Sequence, residues 1–209
     1  MAQNIHYRKL PQQARGQQRI SRLLDAAECV FAEVGYDAAT TNAIAAHAQT
    51  SIGSLYQFFP NKEAILTALA ARYLAELRLT LDQALTPETA ELPLGVFLDC
   101  ILGAIAHFQA SHTSFRPLFI SARHIGHTQD EVANAAFDLR QEIIQRIDGL
   151  LALRAPILAE ADRLLYAQVS VDAVRGLLPL LQATLPDERA RVIAEIKRLL
   201  LAYLTPVVG

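Results

Sequence analysis

The apolar residues of this chain recur every three or four positions along most of its length, which is the spacing of amphipathic helices. The first such segment carries its apolar residues on one helical stripe: Ile20, Leu23, Leu24, Ala27, Val30, Phe31 and Val34. No stretch alternates apolar and polar residues in the manner of a half-buried strand. The sequence therefore predicts an all-α fold of about nine helices.

Residues that end or cap helices divide the first part of the chain. Gly35 is placed to end the first helix, because glycine adopts the left-handed conformation of helix ends at little cost. Hydroxyl side chains are placed to cap the two short helices that follow. The predicted helices are residues 15–34, Thr40 or Thr41 to His47, Ser51 to Phe58, and Asn61 to about Leu85. Short helices followed by a long one at this spacing are typical of a helix-turn-helix.

The rest of the chain predicts a helical bundle. Residues 86–93 form the clearest linker and contain two prolines, Pro87 and Pro93. Residues 94–108 are apolar on almost every side, with Asp99 as their only charge, which predicts a helix in the middle of the bundle. Further helices are predicted at Ser114–Ile125, Gln129–Leu153, Pro156–Leu181 and from Pro186 to the end.

Charge is distributed unevenly along the chain. Residues 1–24 contain five basic residues and no acid, whereas residues 63–209 contain 13 Lys and Arg against 17 Asp and Glu. A short basic end on an acidic body indicates a polyanionic partner met at one end, and a solvated basic tail fits the same charges.

Several classes of protein are excluded or disfavoured by what the sequence contains. Two cysteines, Cys29 and Cys100, rule out a disulfide framework and favour the cytoplasm. No apolar run approaches the ~20 residues that span a bilayer, and the first ten residues do not form a signal sequence. His124 and His127 are paired without an evident third ligand, so neither a metal site nor a cofactor is predicted. An enzyme is disfavoured because no catalytic or phosphate-binding spacing is found.

The segment Ser51 to Phe59, which contains the third predicted helix, has a composition that is unusual for a core helix. Leu55 and Phe59 lie four residues apart and are expected to hold it against the core. The opposite face carries Gly53, Ser54 and Gln57, which suits close approach to DNA and hydrogen bonding to phosphates and bases. From the periodicity alone, a solvated polar face on an ordinary helix is the better explanation at this point.

Residues 15–66 resemble the tetracycline-repressor (TetR) family of bacterial regulators. The resemblance rests on Ala26-Ala27, Phe31, Gly35-Tyr36, Thr40-Thr41, Ile44-Ala45, Gly53, Leu55-Tyr56, Phe59 and Lys62-Glu63-Ala64-Ile65-Leu66. It implies a homodimeric DNA-binding repressor, with a DNA-binding domain at 1–62 and a helical effector-binding and dimerisation domain at 63–209. Together with the basic end, it predicts DNA contacts from Arg15, Arg19, Thr41, Asn42, Ser51, Gly53, Ser54, Tyr56, Gln57 and Lys62.

The chain departs from the family pattern at three places. Gln49 stands in the inter-helix turn where the family usually has glycine, and a left-handed conformation there costs glutamine roughly 1 kcal/mol more. Asn42 stands where many members have arginine, and residues 51–59 contain neither arginine nor lysine. Attraction to the phosphate backbone is therefore expected to come from the basic end and Lys62.

The resemblance also implies a two-fold dimer and a pocket for a small, largely apolar effector in the second half. The last two helices carry the residues expected at the dimer interface: Ala167, Ser170, Ala173, Gly176, Ile196, Leu199, Leu200 and Tyr203. The expected pocket residues are Cys100, Ala104, His107, Phe108, Phe119, Arg123, Phe137, Arg140, Tyr166, Asp172 and Arg175, and each also has an ordinary structural interpretation. A helical lipid or drug carrier without a DNA role is the alternative, and the basic end and the motif at 40–66 argue against it.

Overall fold

The structure is a computed structural model, which describes residues 14–112 and 128–208. All regular structure in these ranges is helical, which confirms the all-α prediction. In chain order the helices are α1 (Ala14–Ala38), α2 (Thr41–His47), α3 (Ile52–Phe58), α4 (Lys62–Ala84), α5 (Pro87–Glu91), α6 (Leu94–Ser111), α7 (Thr128–Arg154), α8 (Glu160–Ala183) and α9 (Arg189–Val208), with a 3-10 turn at Pro186–Glu188. The predicted helix at Ser114–Ile125 and residues 1–13 of the basic end lie outside the described residues.

Local sequence explains where the first helices begin and end. Helical geometry breaks in α1 at Gly35, whose φ of 77° is a conformation that glycine adopts without strain. The Thr40 hydroxyl accepts a hydrogen bond of 3.1 Å from the backbone amide of Ala43 and so caps α2. The Ser51 hydroxyl caps α3 in the same way, by accepting a hydrogen bond from the amide of Ser54.

The predicted linker between α4 and α6 contains a short helix, α5. Thr86 and Thr89 cap it reciprocally, since each side-chain oxygen accepts a hydrogen bond from the other residue's backbone amide at 3.3 and 3.0 Å. Pro87 occupies the first turn, where its missing N–H costs nothing. The prolines were therefore a misleading sign of an unstructured linker, because proline also starts helices.

The chain forms two compact units. Of the described residues, the N-terminal unit takes 14–75, 112 and 128–136, and the C-terminal unit takes 76–111 and 137–208. The N-terminal unit contains α1 to α3 and the first part of α4, and the C-terminal unit contains α5, α6, α8 and α9 with most of α7. The helix α4 is thus continuous across the division between residues 75 and 76. The domain boundary after residue 62 stays a prediction.

Each unit has a core built largely from the predicted apolar stripes, although Val34 of the first stripe is 53% exposed. In the N-terminal unit the core includes Leu23, Ala27, Ile44, Leu55, Phe59, Ile65 and Leu69. In the C-terminal unit the buried residues of α6 pack with those of α7, α8 and α9; α6 contributes Phe97, Leu98, Ile101 and Leu102. Each large apolar side chain removed from water stabilises the fold by about 1.5–3 kcal/mol.

Two helices of the described ranges, Leu94–Ser111 and Glu160–Leu181, are long and apolar enough to cross a membrane by length and composition alone. Core helices of globular proteins satisfy the same criterion, and α6 contributes much of the core of its unit. These two helices are therefore weak evidence for a membrane protein.

Candidate nucleic-acid interface

Helices α2 and α3 are joined by a tight turn at residues 48–51. Gln49 has a φ of 53°, so this position adopts the left-handed conformation expected where glycine is usual in the family. The hydroxyls of Thr41 in α2 and Tyr56 in α3 lie 3.1 Å apart and form a hydrogen bond across the pair. Leu55 and Phe59 are fully buried, as predicted for the residues that hold α3 against the core.

A polar groove of about 660 Å³ runs along the exposed side of α3. Its walls come from α1, from the inter-helix turn and from α3: Arg19, Arg22, Leu23, Ala48, Gln49, Thr50, Ser51, Gly53, Ser54 and Gln57. Two guanidinium groups therefore lie beside the hydrogen-bonding face of the helix. This arrangement offers positive charge that suits phosphates, together with amide and hydroxyl groups whose chemistry suits hydrogen bonding to base edges.

Gly53 lies at an open part of α3. A methyl group built on its Cα would meet no other atom within 4 Å, so packing inside the protein does not require glycine here. Glycine is also unfavourable for folding, because it loses more conformational freedom than any other residue. The missing side chain is explained if another molecule approaches the backbone closely at this point.

Lys62, which was predicted to bind a DNA phosphate, uses its ammonium group inside the protein. It donates hydrogen bonds to the carbonyl oxygens of Tyr36, Asp37 and Ala39 at 2.7, 3.1 and 2.9 Å. Its Nζ also lies 4.3 Å from the centre of the Tyr36 ring. All three ammonium protons thus have acceptors in residues 36–39, which comprise the last turn of α1 and the residue that follows it. We call this arrangement the Lys62 clamp.

The ring under the Lys62 clamp is buried against Phe31, with ring centres 5.3 Å apart. Burial raises the pKa of the Tyr36 hydroxyl to about 12, and the nearby carboxylates of Glu63 and Asp37 add to this effect. The ring therefore stays neutral at physiological pH and presents an uncharged face to the ammonium group.

The remaining predicted DNA contacts lie on accessible parts of the N-terminal unit. Arg15 and Asn42 are exposed and lie outside the residues that line the groove. Arg22, which was not among the predicted contacts, lines the groove beside Arg19. The sequence contained evidence for Arg22, because it lies three residues after Arg19 and residues three apart on a helix lie on the same side.

The predicted effector residues of the C-terminal unit lie in different environments. Asp172 accepts a hydrogen bond of 2.8 Å from the Nε of Arg140 and another of 3.2 Å from Arg175. The bond from Arg140 is the main reason that the pKa of Asp172 lies below its ordinary value.

The other predicted effector residues are spread between the core and the surface. Phe108 is buried, Cys100 and Ala104 are half-buried, and His107 and Phe137 are exposed. The predicted contacts Phe119 and Arg123 and the pair His124 and His127 lie outside the described residues.

The predicted dimer residues divide into a buried and an accessible set. Ala167, Ser170, Ile196 and Leu200 are covered by their own chain. Leu199 and Gly176 are exposed, and Ala173 and Tyr203 are half-buried. The ring of Tyr203 lies 5.4 Å from that of Tyr166, a predicted effector residue. Leu199 and Gly176 thus reach the surface, whereas Tyr203 also packs against the core of the C-terminal unit.

A helix-turn-helix with a basic groove, joined by a continuous helix to a second helical unit, defines a class of DNA-binding transcriptional regulators. Residues 23–69 match the family model for bacterial regulatory proteins of the tetR family, and residues 93–204 match the tetracyclin repressor-like C-terminal domain. The chain belongs to the TetR family. This confirms the resemblance predicted from residues 15–66.

Individual relatives agree with this assignment. The chain is 31% identical over 104 residues to the uncharacterized HTH-type transcriptional regulator YhgD of Bacillus subtilis (strain 168), covering 50% of this chain and 53% of that protein. It therefore spans about half the length of this curated relative. A TetR-family regulator from Streptomyces coelicolor is 27% identical with a TM-score of 0.61, covering 90% of this chain and 99% of that one.

A more distant structure shares the fold alone. The fatty acid degradation regulator FadR from Bacillus halodurans is 19% identical with a TM-score of 0.61, and the match covers 87% of this chain and 97% of that one.

Proposed function

We propose that this protein is a cytoplasmic, non-enzymatic repressor that binds operator DNA as a homodimer and is released by a small, largely apolar effector. The groove beside α3 carries this proposal, because it combines two arginines with the exposed side chains of Ser51 and Gln57. In this function α3 enters the major groove of DNA, where Gln57 and Ser54 read bases. Arg15, Arg19, Arg22, Thr41 and Tyr56 contact phosphates, while Asn42 lies at the start of α2 beside the backbone.

Replacing Arg19 and Arg22 together with alanine should weaken binding to all DNA sequences and flatten the dependence of affinity on salt. Each lost phosphate contact lowers the slope of log affinity against log salt by about 0.9, so the double variant should lose nearly two units. Fluorescence anisotropy between 50 and 200 mM salt measures this, with a random duplex and a duplex selected from a library by the wild-type protein.

The matched control is Gln57→Ala, which changes an uncharged residue of the same groove. It should leave the salt slope unchanged and reduce the preference for the selected duplex by about tenfold. If the arginine double variant has the same salt slope as the wild type, this groove does not bind DNA. That result is the one expected of a lipid or drug carrier without a DNA role.

The proposed dimer uses the accessible side of α8 and α9. A groove of about 760 Å³ lies between these helices, and its apolar lining includes Leu177, Leu180, Val192 and Leu199. Leu180 and Leu199 are 51% and 47% exposed, which is unfavourable for large apolar side chains facing water. A second copy related by a two-fold axis would cover the same surface on both subunits.

The proposed effector site lies in the C-terminal unit, among residues 97–111 and 137–175. Its apolar part would come from α6, where Cys100 and Ala104 are accessible in part and Phe108 is buried. Its polar part would come from the group formed by Arg140, Asp172 and Arg175. Few polar groups in an apolar surrounding are the usual composition of a small-molecule site.

An effector that controls DNA binding should bind less tightly when DNA is present. The continuous helix α4 gives the effector a way to shift the spacing of the two reading helices, which B-DNA requires to be about 34–36 Å. Linkage then lowers effector affinity by the same factor as DNA affinity, typically about 5–150-fold. Compounds that co-purify with the protein, identified by mass spectrometry, are titrated by calorimetry with and without the selected duplex. Equal affinities in the two titrations would contradict this control.

A further inference from the structure

Four charged residues alternate in sign along the groove between α8 and α9. They are Glu188, Arg191, Glu195 and Arg198, and all four line the groove. Their spacings are three, four and three residues. Arg191, Glu195 and Arg198 lie on α9 and Glu188 in the 3-10 turn directly before it, and all four line the groove beside the apolar residues Val192 and Leu199. We call these four residues the charge row.

The charge row has a property that follows from its order alone. If the four residues are taken in the order Arg198 to Glu188, the spacings between them are unchanged and each position carries the opposite charge. A two-fold axis perpendicular to a helix sets two copies of it antiparallel. The row of one subunit then meets its own reverse, so that Glu188 faces Arg198 of the second copy and Arg191 faces Glu195. A two-fold dimer whose axis crosses the row at its midpoint, perpendicular to the helix, therefore has four opposite-charge pairs and no like-charge pair in the row.

We propose that the charge row selects a second copy of this chain as its partner and sets the register of the dimer. This inference rests on the proposed dimer face and adds to it the determinant of partner choice. The apolar residues of the groove supply an attraction that does not distinguish among partners, whereas a related chain with another charge order would place like charges together.

The side chains of the charge row are accessible for this role. Glu195 and Arg198 form an ion pair of 2.5 Å within their helix, yet their side chains are 63% and 79% exposed. Arg198 has five N–H donors, so it can keep this bond and also bind a carboxylate of a second subunit. Exposed pairs are individually weak, and their effect comes from four pairs acting at one interface.

Two double variants of the 209-residue chain test the charge row. The acidic variant carries Arg191→Glu and Arg198→Glu, and the basic variant carries Glu188→Arg and Glu195→Arg. Each alone places four like-charge pairs at the interface, so its dimer should be at least about tenfold weaker than that of the wild type at low salt. Mixed in equal amounts, the two variants should form a heterodimer, because every facing pair is again of opposite charge. Native mass spectrometry and sedimentation equilibrium measure both results.

Controls separate this inference from the dimer face on which it rests. Glu33→Arg with Glu160→Arg changes the net charge as the basic variant does, at exposed positions outside the groove, and should dimerise like the wild type. Leu199→Glu should dissociate the dimer by placing a charge in the apolar part. If Leu199→Glu leaves the dimer intact, the proposed face is wrong.

If Leu199→Glu dissociates the dimer but the acidic and basic variants each dimerise like the wild type, the charge row has no role. The row is also overturned if both variants retain wild-type helicity by circular dichroism and yet form no heterodimer. Should a double variant fail to fold, the single changes Arg191→Glu and Glu195→Arg test the central pair in the same way.

Discussion

Replacing Lys62 with methionine should lower the free energy of unfolding by about 2–3 kcal/mol. The Lys62 clamp holds three backbone carbonyl groups, two of them in part-buried bonds, and methionine keeps the aliphatic chain while removing every donor. The loss is large because hydrogen bonds from a charged donor are strong and the carbonyls of Tyr36 and Ala39 would remain partly buried. Urea unfolding followed by circular dichroism measures it.

The control for Lys62→Met is the same substitution at Lys197. That lysine makes one 2.7 Å bond to Asp99, whose side chain is 58% exposed, so its loss should cost no more than about 1 kcal/mol. Equal losses in the two variants would show that the Lys62 clamp contributes no more than a surface ion pair.

Lys62→Met also distinguishes two roles of Lys62, the Lys62 clamp inside the protein and the DNA phosphate contact that the family resemblance implies. A lost phosphate contact lowers the salt slope by about 0.9. If Lys62 acts only by positioning α2 and α3, the slope is unchanged and the preference for the selected duplex falls.

Replacing Arg154 with methionine should destabilise the C-terminal unit by about 3 kcal/mol. Arg154 ends α7 and donates hydrogen bonds to the carbonyl oxygens of Ala90 and Leu92 at the end of α5, the latter at 2.7 Å. Its guanidinium group also lies 5.7 Å from the centre of the Phe97 ring. Arg154 is half-buried, and this burial lowers the pKa of its guanidinium group. Methionine would leave the end of α5 without these donors.

The matched change is Arg78→Met, which removes a 2.8 Å bond to Glu142 from a side chain that is 40% exposed. This surface pair should be worth about 1 kcal/mol or less. Calorimetric melting of both variants gives the comparison. A melting temperature of Arg154→Met as high as that of Arg78→Met would rule out a special role for the carbonyl contacts.

The DNA-binding part of this protein was largely determined by local sequence. Gly35, Thr40 and Ser51 place helix ends through the conformations and hydrogen bonds of single residues, so the positions of α2 and α3 could be predicted. The spacing of Leu55 and Phe59 likewise identified the buried side of α3, and hence the side that faces outward.

Only the tertiary structure determined which backbone groups the long side chains of Lys62 and Arg154 bind. The carbonyls bound by Lys62 are 23 to 26 residues away in sequence, and those bound by Arg154 are 62 and 64 residues away. Helical periodicity gives the direction in which a side chain leaves its helix but not which backbone lies there. The same holds for the apolar residues of α8 and α9, which share one helical pattern. Only the packing of the helices decides that Ile196 is a core residue and that Leu199 stays accessible.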